Sequence, residues 1–142
     1  MDRLEVDLGL QEFALGSGTL RFNPTDPNLY QRFLELEPQL QALRQELITG
    51  SCQLQDAAGV LQLLSDADRK FKELLTWVFG PENDFSRLLG SVNLFSTGAQ
   101  GRSVAENLLS ALEPVLTRGA EQFVEKYTQA ALEKARHRRE NQ

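Results

Sequence analysis

The residues of this chain whose types could support chemistry are few, and none has the spacing of a catalytic or metal site. The chain contains one cysteine, Cys52, and one histidine, His137. A cysteine nucleophile needs a base positioned within hydrogen-bond reach, but these two residues fall in a predicted loop and in the charged C-terminal stretch. One histidine and one cysteine also do not complete a zinc site. We therefore expect no catalytic, cofactor-binding or metal-binding residues, and we expect that the protein is not an enzyme.

Two glycine-rich stretches and one acidic pair each lack part of the ligand-binding motif that they resemble. Gly16-Ser17-Gly18 lacks the third glycine of a dinucleotide-binding loop, so it favours a turn. The stretch GAQGRS, residues 98–103, precedes a predicted helix but lacks the lysine and the spacing of a P-loop, which favours a flexible helix entry. Asp66 and Asp68 lack the spacing of a calcium-binding loop, and we expect both to face solvent in the first turn of a helix.

Composition and charge narrow the class of protein. A chain of 142 residues with 41% hydrophobic residues is long enough for one domain with a real core. The net charge of −5 argues against non-specific binding to nucleic acid. Residues 130–142 are locally basic, with four arginines and lysines against two glutamates, but they hold no aromatic residue for base stacking. We therefore predict a solvated helix end there and no nucleic-acid partner.

Hydropathy predicts neither export nor a membrane partner. The N-terminus MDRLEVDLGL lacks the apolar core of a signal peptide, and no apolar run approaches the roughly 18 residues of a membrane span. A single cysteine fits a reducing compartment. We expect the protein to remain in the compartment in which it is made.

The N-terminal part of the chain predicts a small β element followed by a helix. Leu4, Val6 and Leu8 alternate with acidic residues, the period of a half-buried strand, and a second short strand is expected at 19–22 after the glycine turn. In the stretch FNPTDPNLYQRF, residues 22–33, Asp26 is a suitable N-cap and Pro27 a suitable first helical residue. This stretch is therefore predicted to be the joint between a β-hairpin and the first helix.

Helical periodicity covers most of the remaining chain. The first predicted helix has a seam of apolar residues, which comprises Leu29, Phe33, Leu36, Leu40, Leu43 and Leu47. We expect a kink or a break in this helix at Pro38 and its end at Gly50. A second helix is expected from about Gln55 to Phe79, with a restart at Ser65 as an alternative.

The C-terminal half predicts irregular chain and then further helix. Residues 84–89 suit one helical turn within a stretch whose apolar residues should pack back on the helices. A third helical region begins at Ser103 and is interrupted by Pro114 and Gly119, which predicts a bent helix or two helices. The expected fold is mainly α, a bundle of about four helices with a small N-terminal β-hairpin, in a domain of residues 1–129 followed by a charged tail of residues 130–142.

Four aromatic residues are the candidates for a partner-binding patch, because such patches favour large aromatic side chains. They are Trp77, Phe79, Phe85 and Phe95. The alternative, which base rates of burial favour, is that these side chains belong to the core.

Several stretches together resemble the small tail assembly chaperones encoded by long-tailed bacteriophages and prophages of Gram-positive bacteria. These are FNPTDPNLYQRF (22–33), FKELLTWVFGP (71–81), and FSRLLGSVNLFS (85–96) leading into VAENLLSALEPVL (104–116). The resemblance implies a non-enzymatic protein in the host cytoplasm. It would bind the tape measure protein, keep it soluble and help to recruit the tail tube protein around it.

A second hypothesis is a structural virion or adaptor protein that forms homo-oligomers through its leucine seams. Leucine seams serve equally well for the core of a monomer and for the interface of a dimer, so the pattern leaves both hypotheses open.

Overall fold

The computed structural model describes residues 1–53 and 56–140 and is mainly helical. Its elements in chain order are β1 (Gln11–Leu15), β2 (Gly18–Phe22), α1 (Pro27–Leu34), α2 (Leu36–Gln53), α3 (Ala57–Phe79), α4 (Phe85–Leu88) and α5 (Val104–Glu140). Four of the helices have two turns or more and α4 is a single turn. The predicted fold class, mainly α with a small N-terminal β-hairpin, is confirmed.

The hairpin lies later in the chain than the sequence pattern predicts. β1 and β2 pair antiparallel from Gln11 opposite Phe22 to Leu15 opposite Gly18, and Gly16 takes the left-handed φ of 58° that the turn requires. The predicted strand at Leu4 to Leu8 is wrong, because these residues form no strand and their apolar side chains are exposed. Pro24 would lie opposite Gly9 if the pairing continued, and proline has no N–H to donate to a ladder.

The joint between the hairpin and the helices follows the predicted chemistry. The Asp26 side chain accepts a hydrogen bond from the backbone N–H of Asn28 at 2.9 Å, and Pro27 is the first residue of α1. The expected break near Pro38 is also confirmed, since α1 ends at Leu34 and α2 begins at Leu36. Pro38 thus lies in the first turn of α2, where a missing N–H costs little.

The predicted helix end at Gly50 and the alternative restart at Ser65 are wrong. The helix does not end at Gly50 but continues to Gln53, and Gly50 lies close to the Leu63 side chain of α3. The predicted start at Gln55 lies outside the described residues, and α3 then runs from Ala57 without a restart at Ser65. Its N-cap is Asp56, whose carboxylate accepts a hydrogen bond from the backbone N–H of Gly59 at 3.0 Å.

The C-terminal half contains one turn and one long helix. Asp84 caps α4 through the backbone N–H of Ser86 at 3.0 Å, which confirms the predicted turn. α5 passes through Pro114 and Gly119 without ending, so the two-helix alternative is wrong. The buried Leu112 and Leu116 hold the turns on either side of the exposed Pro114 against the body.

The core forms where the hairpin, the helices and the irregular stretch after α3 meet. Its most deeply buried large side chains are Leu20, Phe22, Leu36, Leu40, Phe71, Leu75, Val78, Phe85, Leu94 and Leu116.

Beyond Gly119, by contrast, α5 projects from the body: residues 124–140 are exposed. The twenty-one residues from Ala120 to Glu140 extend about 30 Å at the rise of an α-helix. No helix within the described residues is long and apolar enough to cross a membrane.

Candidate partner-binding groove

The four aromatic residues named from the sequence do not share a surface. Phe79 and Phe85 are buried and contact each other with ring centroids 5.5 Å apart, while Phe95 is half-buried against Phe71. Trp77 is exposed, with 52% of its surface accessible. Two of the four residues thus belong to the core, so no contiguous aromatic patch forms, and any partner contact by Trp77 stays a prediction.

An apolar groove instead opens between α1 and the middle of α5. It encloses about 310 Å³. Its walls are Tyr30, Phe33, Leu34 and Leu36 from α1 and the start of α2, Leu109 and Thr117 from α5, and two glutamates, Glu37 and Glu113. Leu34 is 55% exposed although it lies among apolar neighbours. Leu34 therefore adds to the contiguous apolar surface that Tyr30, Phe33 and Leu109 form in the groove, and such concave apolar surfaces are typical of binding sites.

The groove continues along the projecting half of α5. A second depression of about 540 Å³ shares Tyr30 and Thr117 with the first. It follows Ala120, Val124 and Thr128, which recur at the four-residue spacing of one helix face. We call the two depressions together the α1–α5 groove. Its elongated shape, with an apolar floor beside a helix, fits an amphipathic helix as ligand.

Acidic side chains line the rim of the α1–α5 groove. Glu37 and Glu113 lie beside the first depression, and Glu121 and Glu125 lie beside the second. Four carboxylates around an apolar floor favour a ligand with basic residues flanking its apolar face. Rim charges of this kind mainly raise the rate of association and select the partner, whereas the apolar floor supplies most of the affinity.

Close backbone contacts and polar anchors hold the walls of the groove in place. The Arg32 side chain donates from Nε to the carbonyl oxygen of Val78 at 3.0 Å, which ties α1 to the end of α3. Gly119 of α5 lies directly against the backbone of Pro24, so that a Cβ at this position would overlap the Pro24 carbonyl. α1 and α5 therefore meet at a fixed separation, as a preformed site requires.

An ion-pair cluster anchors the first turn of α5 to α2. Glu106 pairs with Arg44, and it also accepts from the Ser103 hydroxyl at 3.1 Å and pairs with Arg102 at 3.4 Å. The Ser103 hydrogen bond and the two guanidinium groups lower the pKa of the Glu106 carboxyl below its ordinary value, against the opposing effect of partial burial. The cluster thus favours an ionised Glu106 at neutral pH and fixes the direction in which α5 leaves the loop.

Sequence reasoning missed the roles of three polar residues that organise the loops beside α3, namely Asp68 and the buried Lys72 and Asn83. The prediction that Asp68 faces solvent is wrong. Its carboxylate accepts hydrogen bonds from Lys72 Nζ at 2.9 Å and from the backbone N–H of Leu94 at 2.8 Å. Lys72 also donates to the carbonyl of Val92 at 2.8 Å. Asn83 accepts from the N–H of Arg21 and donates to its carbonyl, which closes the outer edge of β2. An acidic residue four positions before a lysine was the available sequence signal for the first pair.

Within the described residues, no group of three or more histidine, cysteine or acidic side chains is placed to hold a metal ion. Comparison of the chain with protein-family models, curated proteins and solved structures gave no match.

Proposed function

We propose that this protein is a phage tail assembly chaperone whose α1–α5 groove binds an amphipathic helix of the tape measure protein and keeps that protein soluble. The supporting observation is the groove itself, an elongated apolar surface flanked by Leu34 and Val124 and rimmed by glutamates. A long helical protein exposes apolar faces before it is covered by its final neighbours. A groove that covers one of these apolar faces prevents it from associating with the apolar faces of other molecules.

The family resemblance supplies the identity of the partners. It implies that the tape measure protein is the ligand and that the tail tube protein is recruited to the same complex in the host cytoplasm. The acidic rim adds a chemical requirement: the bound helix has lysines or arginines beside its apolar face. The bound segment is therefore a basic amphipathic helix rather than an acidic one.

Co-expression with the tape measure protein encoded beside this chain tests the proposal. We expect the chain to raise the soluble fraction of the tape measure protein and to co-purify with it. Leu34→Glu places a charge at the edge of the apolar floor, and we expect it to weaken the complex at least about tenfold, since burying an unpaired charge is costly.

Leu61→Glu is the matched control. Leu61 lies on α3, away from the groove, and is 64% exposed compared with 55% for Leu34. The same substitution there should leave the complex unchanged. Equal loss of binding in both variants, or no soluble complex with the wild-type chain, would contradict a role for the groove.

The alternative of a self-assembling structural protein relied on the leucine seams. Leu29, Leu36, Leu40 and Leu43 are buried in the chain's own core, so these residues are not available to join separate copies. The alternative would be favoured if the chain occurred in purified particles and formed rings or filaments without the tape measure protein.

A further inference from the structure

The buried stripe of α5 continues beyond the body of the protein without changing face. On the body the stripe consists of Leu108, Leu112, Leu116 and Gly119, all of them buried. The same three- and four-residue spacing leads on to Phe123, Tyr127, Ala130 and Lys134. We call these last four residues the outer stripe. A helix face that is buried for half of its length thus continues with Phe123, Tyr127 and Ala130 into a segment that is exposed from residue 124 to residue 140.

The outer stripe has the features of an interface. The rings of Phe123 and Tyr127 lie 4.7 Å apart between centroids, and Tyr127 is 64% exposed. Both rings line a shallow depression with Thr25, Lys126 and Ala130. The opposite face of the same helix segment carries the polar Gln129 and Arg136 together with one exposed leucine, Leu132. Adjacent aromatic residues on one face of a projecting helix are typical of a helix that packs on a second helix.

Charge is distributed unevenly along this projecting segment. Residues 121–129 carry two glutamates and one lysine, whereas residues 132–140 carry four arginines and lysines and two glutamates. The part nearer the body is therefore net acidic and the outer end is net basic. Two copies aligned antiparallel would place each acidic part against a basic end, while parallel copies would place like charges together.

We propose that the occupant of the outer stripe is a second copy of this chain, and that two projecting α5 helices pair antiparallel to form a homodimer. The paired segments contain about three heptads, and Phe123 and Tyr127 of each copy supply the main apolar contacts. Lys134 covers the edge of the contact with its aliphatic stem. This inference does not depend on the function proposed for the α1–α5 groove.

Sedimentation equilibrium of the full chain from about 1 to about 100 µM tests the dimer. We expect a reversible monomer–dimer equilibrium, and we expect Tyr127→Ala to raise the dissociation constant at least about tenfold, because it removes an apolar contact from both halves of the interface. Gln129→Ala shortens a side chain two residues away on the polar face and should leave the constant unchanged. Circular dichroism of each variant verifies that the fold is retained.

Charge reversal tests the direction of pairing. Glu121→Lys with Glu125→Lys makes both parts of the segment basic, so this variant should dimerise about tenfold more weakly in an antiparallel arrangement. A second variant, Lys134→Glu with Arg138→Glu, makes both parts acidic and should be weakened in the same way. An equimolar mixture of the two variants should recover the dimer, and added salt should weaken the wild-type dimer.

Several results would overturn the inference. One is a wild-type chain that stays monomeric over the whole concentration range. A chain whose own residues 1–10 covered the outer stripe would give this result. Another is a dimer that Tyr127→Ala leaves unchanged. A dimer that strengthens with salt, and that is unaffected by Lys134→Glu with Arg138→Glu, would show parallel pairing and refute the antiparallel arrangement.

Discussion

Asp68 shows how a single carboxylate connects α3 to the stretch that follows α4. It pairs with Lys72, which is buried, and one of its oxygens also accepts the backbone N–H of Leu94. Loss of one partner from a buried ion pair leaves the other charge without compensation. We therefore expect Asp68→Ala to lower the free energy of unfolding by about 3 kcal/mol in urea denaturation followed by circular dichroism.

Asp66 provides the matched control two residues earlier on the same helix. It pairs with Arg69 at 3.6 Å in an exposed position, where ion pairs contribute little. Asp66→Ala should change the free energy of unfolding by no more than about 0.5 kcal/mol. Similar values for the two variants would mean that the Asp68 pair does not organise the loop.

At the scale of elements, the contact between α5 and the joint that precedes α1 sets the distance between α5 and that joint. Alanine is ordinarily more stable than glycine in a helix by about 1 kcal/mol. At Gly119, however, the added Cβ would overlap the carbonyl oxygen of Pro24, and neither backbone can move without displacing a helix. We expect Gly119→Ala to reduce the free energy of unfolding by about 2 kcal/mol, measured by urea denaturation.

Gly50→Ala in α2 separates this overlap from the general effect of replacing a helical glycine. A Cβ there would meet Cδ1 of Leu63 at 2.6 Å, the end of a side chain that can rotate away. The variant should therefore be close to wild type in stability or slightly more stable. If Gly119→Ala behaved in the same way, the close packing of α5 on Pro24 would be refuted.

Local sequence signals predicted the elements better than their lengths. The Asp26 cap and the helical turn at residues 84–89 were predicted because both depend on residues within one turn. The strand predicted at Leu4 to Leu8 failed because pairing depends on a partner strand, and β2 ends before Pro24. The sequence left open whether the helix continues through Gly119, because packing of the flanking turns on the core, which outweighs local helix propensity, is not visible in the sequence.

The candidate site could not be predicted from sequence for a similar reason. The α1–α5 groove depends on the angle at which α1 ends near Glu35 and on the distance that Gly119 allows between α5 and Pro24. Residues that line it, such as Leu34 and Leu109, have the same pattern as core residues. Phe79 and Phe85, two of the predicted partner-binding residues, are core residues instead. Large apolar side chains are more often buried than exposed.

At the scale of the whole molecule, the chain presents two separate apolar surfaces, the α1–α5 groove and the outer stripe of α5. They lie on adjacent sides of the same projecting helix, with Val124 and Thr128 in the groove and Phe123 and Tyr127 in the stripe. A dimer formed through the stripes would leave both grooves open. Such a dimer would present two binding sites to one long helical partner, which raises the effective affinity through linkage. The division into residues 1–129 and 130–142 stays a prediction, and α5 crosses that boundary as one helix.

The most direct test of the central claim is hydrogen exchange on the complex between this chain and the tape measure protein, compared with the chain alone. We predict slower exchange in residues 30–37 and 109–125, the two walls of the groove, and unchanged exchange around Trp77. The Leu34→Glu variant should lose this protection under the same conditions. Protection confined to the surface around Trp77, or unchanged exchange at both walls of the groove in a stable complex, would contradict the proposed site.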